Sequence, residues 1–91
     1  MRWRRRTVRG VGVTRLVVLV NWLDAAGGIR EGWRSTRKMA RLKPAKCQSV
    51  GFLLKKTRRA IVVCPHLCHD GDGDGEIVIP RGWVTSIKRL K

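Results

Sequence analysis

The chain has 91 residues, of which 21 are Lys or Arg and only six are Asp or Glu, so its formal net charge is +15 at pH 7. This length suits one small domain and leaves no room for a second hydrophobic core. A hydrophobic fraction of 43% is close to that of ordinary globular domains and argues against wholesale disorder. No apolar run approaches the roughly 18 residues of a membrane-spanning helix, so we expect no membrane association.

The cysteine content favours a reducing compartment. Cys47, Cys64 and Cys68 form an odd set, whereas secreted disulfide-stabilised domains usually carry an even number of cysteines. The basic start and the apolar run 16–20 have the outline of a signal peptide, but the run is short and the polar Asn21 follows it at once. We therefore predict a cytoplasmic protein.

The first 15 residues differ in composition from the rest. Residues 1–15 carry six Arg, two glycines and no acidic residue, which is typical of a flexible basic arm. We predict that residues 16–91 form the folded domain. Whether 1–15 belong to the native protein, or translation begins further in, stays open.

The next segments predict one strand and one short helix. Residues 16–23 are apolar and β-branched, which indicates a buried strand. Ser35 is a candidate N-cap for a helix of one or two turns that approaches Leu42 and is stopped by Pro44.

The second half of the domain predicts more strands. Residues 45–54 and 60–64 have strand patterns and are joined by a basic hairpin tip. Gly51 within the first of them suggests a bulge or a sharp bend. Residues 65–75 are rich in Pro, His, Asp and Gly and are expected to form a loop. Two further strands, 76–79 and 83–90, flank a turn at 80–82.

Five short strands around one short helix predict a mainly β protein. The small five-stranded barrel of the SH3-like or Sm-like type fits this pattern best, with the OB-like barrel as its neighbour.

Two clusters of cations are the candidate binding residues. One lies on the predicted hairpin tip, where several cations could reach neighbouring phosphates while the strands stay packed. The other recurs at spacings of three and four along the predicted helix, opposite Met39 and Leu42. The alternative is that both clusters are solvated faces. The residues are Lys55, Lys56, Arg58 and Arg59 on the tip, and Arg34, Arg37, Lys38 and Arg41 on the helix.

The residues Cys64, His66, Cys68 and His69 could ligate zinc, with Cys47 as an alternative ligand. Structural zinc sites usually pair ligands that are well separated in sequence, whereas these four fall within six residues. We therefore predict no metal site. A nucleophilic Cys–His pair would need an orienting group and oxyanion donors that the sequence does not supply, so no enzymatic activity and no cofactor are predicted.

The acidic run resembles the start of a calcium loop. Asp70, Asp72 and Asp74 alternate and Gly75 follows, but the twelfth position holds Arg81 instead of a bidentate Glu. We interpret the run as a mobile acidic loop whose aspartates could fold back onto the basic face and mimic phosphate.

The tryptophans are too few to predict a base-stacking platform. Trp22, Trp33 and Trp83 each border a predicted element and are expected in the core or as lids of the barrel. Trp3, which lies among arginines, is expected to be exposed.

The order of several short segments resembles a family of small, poorly characterised phage and prophage proteins. The match spans about residues 17–90 and implies a small β-barrel without an established activity. Residues 1–15 lie outside the pattern, and small or hydroxyl residues often stand in that family where Cys64 and Cys68 are here, which argues against a shared metal site. The matching segments are Trp22-Leu23-Asp24-Ala25, Gly32-Trp33, Leu42-Lys43-Pro44, Cys47 to Leu54 with its Ser49-Val50-Gly51-Phe52, Val63-Cys64-Pro65-His66 and Ile79-Pro80.

Together these features predict a basic, mainly β, phage-like protein that binds nucleic acid through phosphate contacts in the cytoplasm, which is the host cytoplasm if a phage encodes it. DNA and RNA are not distinguished, and no recognition-helix motif predicts sequence preference. The alternative is a structural or adaptor module of a virion or its assembly, which forms homo-oligomers and has no enzymatic activity.

Overall fold

A computed structural model describes residues 16–27 and 32–91 of the chain, and strands dominate this part. The predicted arm 1–15 and its Trp3 lie outside the described residues. The elements in chain order are β1 (Val17–Asp24), α1 (Thr36–Met39), β2 (Ala45–Lys56), β3 (Ala60–Cys64), β4 (His66–Leu67), β5 (Gly73–Asp74), β6 (Ile77–Pro80), a 3₁₀ helix (Arg81–Trp83) and β7 (Val84–Arg89).

Five of the strands form one antiparallel sheet in the order β6-β3-β2-β1-β7. The long strand β2 lies at its centre, and the last strand returns to pair with the first. The two short strands β4 and β5 form a separate hairpin between β3 and β6.

The hydrophobic core lies on one face of this sheet, as the alternation of side chains along the strands requires. Val18 and Val20 of β1 are fully buried, and so are Ile61 of β3 and Ile79 of β6. Leu16, Leu53 and Val63 complete the buried cluster, against which Trp22, Ile77, Val84 and Ile87 pack.

The sheet curls around this core instead of lying flat. Only Arg81–Trp83 connects the edge strand β6 to the opposite edge strand β7. An extended link from Pro80 to Val84 spans at most about 14 Å. Four strand spacings in a flat sheet would separate the edges by about 19 Å. The two edges must therefore approach each other.

Strand β2 passes close to β3 at Gly51. A Cβ atom on Gly51 would lie 2.7 Å from the carbonyl oxygen of Cys64 and 2.8 Å from Cγ1 of Val63. The predicted bulge at Gly51 is wrong, because Gly51 pairs in regular register with Val18 and the register shift falls between Leu53 and Lys55. The glycine is required by the close approach of β3.

The connections differ from the sequence prediction in two places. The predicted loop 65–75 contains the β4–β5 hairpin. The thiol of Cys64, at the end of β3, donates to the carbonyl oxygens of His66 and Asp74 on the two strands of this hairpin, at 3.1 and 3.3 Å. Where a turn was predicted at 80–82, the chain forms a 3₁₀ helix over Arg81–Trp83.

Helix α1 is a single turn. The hydroxyl oxygen of Ser35 accepts a hydrogen bond from the backbone N–H of Lys38 at 3.1 Å, so Ser35 is the N-cap as predicted. The helix buries none of its residues. The predicted apolar side is not docked, because Met39 is 41% exposed and Leu42 is 49% exposed.

The prediction of a mainly β protein with five main strands and one short helix is confirmed. A closed barrel is not formed by the described residues, because β6 and β7 remain at the two edges and do not pair with each other. No helix within 16–27 and 32–91 has the length and apolar character needed to cross a membrane.

Replacing Gly51 with Ala should destabilise the sheet by about 1–3 kcal/mol, because the new methyl group would meet backbone atoms of β3 that cannot move alone. Urea unfolding measures this change. Gly82→Ala is the matched control, since a Cβ there meets nothing within 4 Å, and its effect should stay within about 1 kcal/mol. Equal stability of the two variants would contradict the close packing of β2 against β3.

Candidate functional site

The predicted basic tip is a tight turn between β2 and β3. Lys55 and Lys56 are the last residues of β2 and pair with Val62 and Ile61, and Arg58 and Arg59 follow in the turn. All four cationic side chains are exposed. The tip thus carries four cations within five residues, as predicted.

Thr57 fixes the shape of this turn. Its backbone N–H donates to the carbonyl of Ala60 at 3.0 Å, which closes the turn. Its hydroxyl oxygen accepts hydrogen bonds from the backbone N–H groups of Arg59 and Ala60 at 3.2 and 3.1 Å. Such side-chain bonds to nearby backbone stabilise one turn conformation. The arginines therefore project from an ordered backbone.

Arg81 joins the tip from the far side of β3. Pro80 pairs with Ala60 at the end of β6, and the backbone N–H of Arg81 donates to the carbonyl of Arg59 at 2.8 Å. The Arg81 side chain lines a shallow, open depression together with Lys56, Thr57 and Arg58. Its Nη1 atom is buried and has no hydrogen-bond partner among the described residues.

The end of β7 carries two further cations, but these lie level with the middle of β2. The backbone N–H of Val17 donates to the carbonyl of Lys91 at 2.7 Å, and Arg89 pairs with Val18. Val18 in turn pairs with Gly51, four residues before Lys55. We therefore define the basic end as the four cations of the tip together with Arg81: Lys55, Lys56, Arg58, Arg59 and Arg81.

The described acidic residues lie away from the basic end. Four of them fall within residues 70–76, which follow the far end of β3 and precede β6. Asp24 ends β1, where it pairs with Ala45 at the start of β2. From Ala60 to Cys64, β3 spans roughly 13 Å, which exceeds the screening length of about 8 Å at physiological salt. These acids therefore neutralise little of the charge at the basic end.

The second predicted cluster lies next to the other end of β2. Helix α1 precedes the start of β2, whereas the tip follows its end. The two are separated by roughly 36 Å along this strand. The predicted stripe is also interrupted, because only Arg37 and Lys38 are helical, while Arg34 precedes the helix and Arg41 follows it. The eight predicted residues thus form two separate groups.

The thiol and imidazole cluster is not assembled as a ligand set. Among residues 16–27 and 32–91, no three His, Cys, Asp or Glu side chains are arranged to hold a metal ion. Cys64 is buried, with its sulfur directed at backbone carbonyls, whereas Cys68 is exposed. The carboxylate of Asp70 accepts from the backbone N–H of Asp72 at 3.0 Å, so it stabilises its own loop.

The tryptophans follow the prediction only in part. Trp22 packs against the core, donates from Nε1 to the hydroxyl oxygen of Ser49 at 3.0 Å, and stacks on Trp83 with ring centroids 6.4 Å apart. Trp83 is a lid that remains 43% exposed. The prediction for Trp33 is wrong, because its side chain is fully exposed.

Sequence reasoning missed one member of the basic end. Arg81 was interpreted as a turn residue, and it meets the tip only through the pairing of β6 with β3. No local pattern carries that information. Comparison of the chain with protein-family models, with curated proteins and with solved structures finds no match.

Thr57→Ala should lower the free energy of unfolding by about 1 kcal/mol, because two backbone N–H groups of the turn lose their intramolecular acceptor. It should also accelerate hydrogen exchange at the amides of Arg59 and Ala60. Thr57→Ser is the matched control, since it keeps the hydroxyl and should behave as the native protein. If both variants exchange alike, the hydroxyl does not order the tip.

Proposed function

We propose that this protein binds nucleic acid through phosphate contacts made by its basic end. The observation that carries the proposal is the segregation of charge. Five cations lie at the basic end, and the described acidic residues lie at other ends of the strands. A fixed group of cations favours a polyanion, whose backbone presents regularly spaced phosphates.

The binding we propose is independent of sequence. Readout of base edges in the major groove commonly uses a helix or a two-stranded ribbon. Helix α1 has only four residues, and the basic tip offers long flexible cations, which suit phosphate oxygens. DNA and RNA are both candidate ligands on this basis.

We also propose that the curled sheet is an open relative of the SH3-like or Sm-like barrels. The support is the connectivity of the sheet. Strands β1, β2, β3 and β6 are neighbours in the sheet in the same order as in the chain, and β7 returns to pair with β1 after a 3₁₀ helix. A phage or prophage origin, with function in the host cytoplasm, is proposed on the resemblance of the short segments alone.

A second candidate function is a structural or adaptor module that oligomerises. It is favoured by the open sheet edges and by Val50 and Val78, which are 52% and 60% exposed. The edges themselves argue against it, since Pro80 ends β6, and Lys88 and Arg89 lie on β7. Proline and charge at sheet edges discourage strand pairing between molecules.

The decisive comparison uses two variants with four Gln substitutions each. One neutralises Lys55, Lys56, Arg58 and Arg59, and the other neutralises Arg34, Arg37, Lys38 and Arg41. Both lower the formal net charge from +15 to +11. Affinity for a duplex and for a single-stranded oligonucleotide is measured across a salt series.

The tip variant should lose most of the affinity, and its slope of log K against log salt should fall by up to about 3.6 for a duplex, if each cation meets one phosphate. The helix variant should retain most of the affinity and most of the salt slope. Equal losses in the two variants would show that total charge, and not the basic end, drives binding. Oligomers that persist in high salt after nuclease treatment, with no bound nucleic acid, would favour the structural module.

A further inference from the structure

Arg81 holds a buried cationic atom that the fold itself does not satisfy. Its Nη1 atom is buried without a hydrogen-bond partner among the described residues. A guanidinium N–H removed from water is costly when no acceptor replaces the water. Native proteins keep such groups chiefly where they have a role. An acceptor from outside the chain would satisfy this group once the Arg81 side chain turns into the depression that it lines.

The surroundings of Arg81 suit a tetrahedral anion. The depression that it shares with Lys56, Thr57 and Arg58 is cationic and open to solvent. The backbone of Arg81 is held beside the tip, because its N–H is bonded to the carbonyl of Arg59. Planar guanidinium groups bind phosphate oxygens through paired N–H donors.

We propose that Arg81, with Lys56 and Arg58, forms a discrete subsite for one phosphoryl group. Resting on the proposed function, this inference assigns the group to a backbone phosphate of the bound nucleic acid, which enters between the tip and the 3₁₀ helix. Arg81 is then the orienting contact, while the exposed tip cations supply attraction of longer range.

The subsite is tested with three single variants: Arg81→Gln, Arg81→Lys, and Lys46→Gln as a matched loss of one exposed cation at the far end of β2. For Arg81→Gln we expect oligonucleotide affinity to fall about tenfold, and the duplex salt slope to fall by about 0.9, as for the loss of one phosphate contact. Arg81→Lys should restore the slope and only part of the affinity, because it keeps the charge without the planar fork. Lys46→Gln should change affinity less than twofold.

Two further readouts separate a binding role from a structural one. Arg81→Gln should leave the urea midpoint unchanged or raise it, because Nη1 makes no bond that the fold would lose. In the native protein, inorganic phosphate should shift the Arg81 Nε–H signal and the Thr57 and Arg58 amides in NMR spectra, whereas chloride at equal ionic strength should not. Arg81→Gln should abolish this response.

The subsite is overturned if Arg81→Gln matches Lys46→Gln in affinity, if it lowers the urea midpoint, or if phosphate and chloride act alike. The proposed function fails separately. If the fourfold tip variant binds oligonucleotides as well as the native chain, the basic end is not the interface. If the tip variant loses binding while Arg81→Gln keeps it, the interface stands without the subsite.

Discussion

The fold depends on the central strand β2, which pairs with β1 on one side and with β3 on the other. Its register is fixed by Leu53, which is buried in the core, and by Gly51, whose missing side chain lets β3 approach. A slip by one residue would exchange core and solvent faces along the whole strand. Because β2 is 12 residues long, it also separates the two loops that it connects. This one strand thus determines which cations can act together.

Gathering cations at one end of a small domain opposes folding through self-repulsion, and the thin core offers little to offset it. A polyanion that binds the folded state relieves this repulsion and stabilises the fold by mass action. Stability and function are therefore coupled in this account. The ordered turn at Thr57 and the bond from Arg81 to Arg59 hold the backbone that carries these charges in place before any ligand arrives, which reduces the backbone entropy lost on binding.

The strands and the capped helix follow from local sequence, because alternation, β-branching and Ser35 act over a few residues. The cations of the tip were predictable for the same reason. Arg81 was not, since it reaches the tip only through the pairing of β6 with β3. The bulge predicted at Gly51 was wrong, because a glycine in a strand also permits a close approach of a neighbouring strand, which only the tertiary structure reveals. Likewise, Trp33 is a large aromatic residue of the kind usually found in a core, but its side chain is exposed beside helix α1, which buries none of its own residues.

The most direct test of the account is to map nucleic-acid binding onto backbone amides by NMR, titrating the native chain with a short oligonucleotide. The account predicts that the largest shifts fall on residues 55–59 and on Arg81. It predicts small shifts in the acidic segment 70–76 and in α1. Shifts centred on α1, or spread evenly over the exposed cations, would contradict the claim that charge segregation at one end of the sheet creates the binding site.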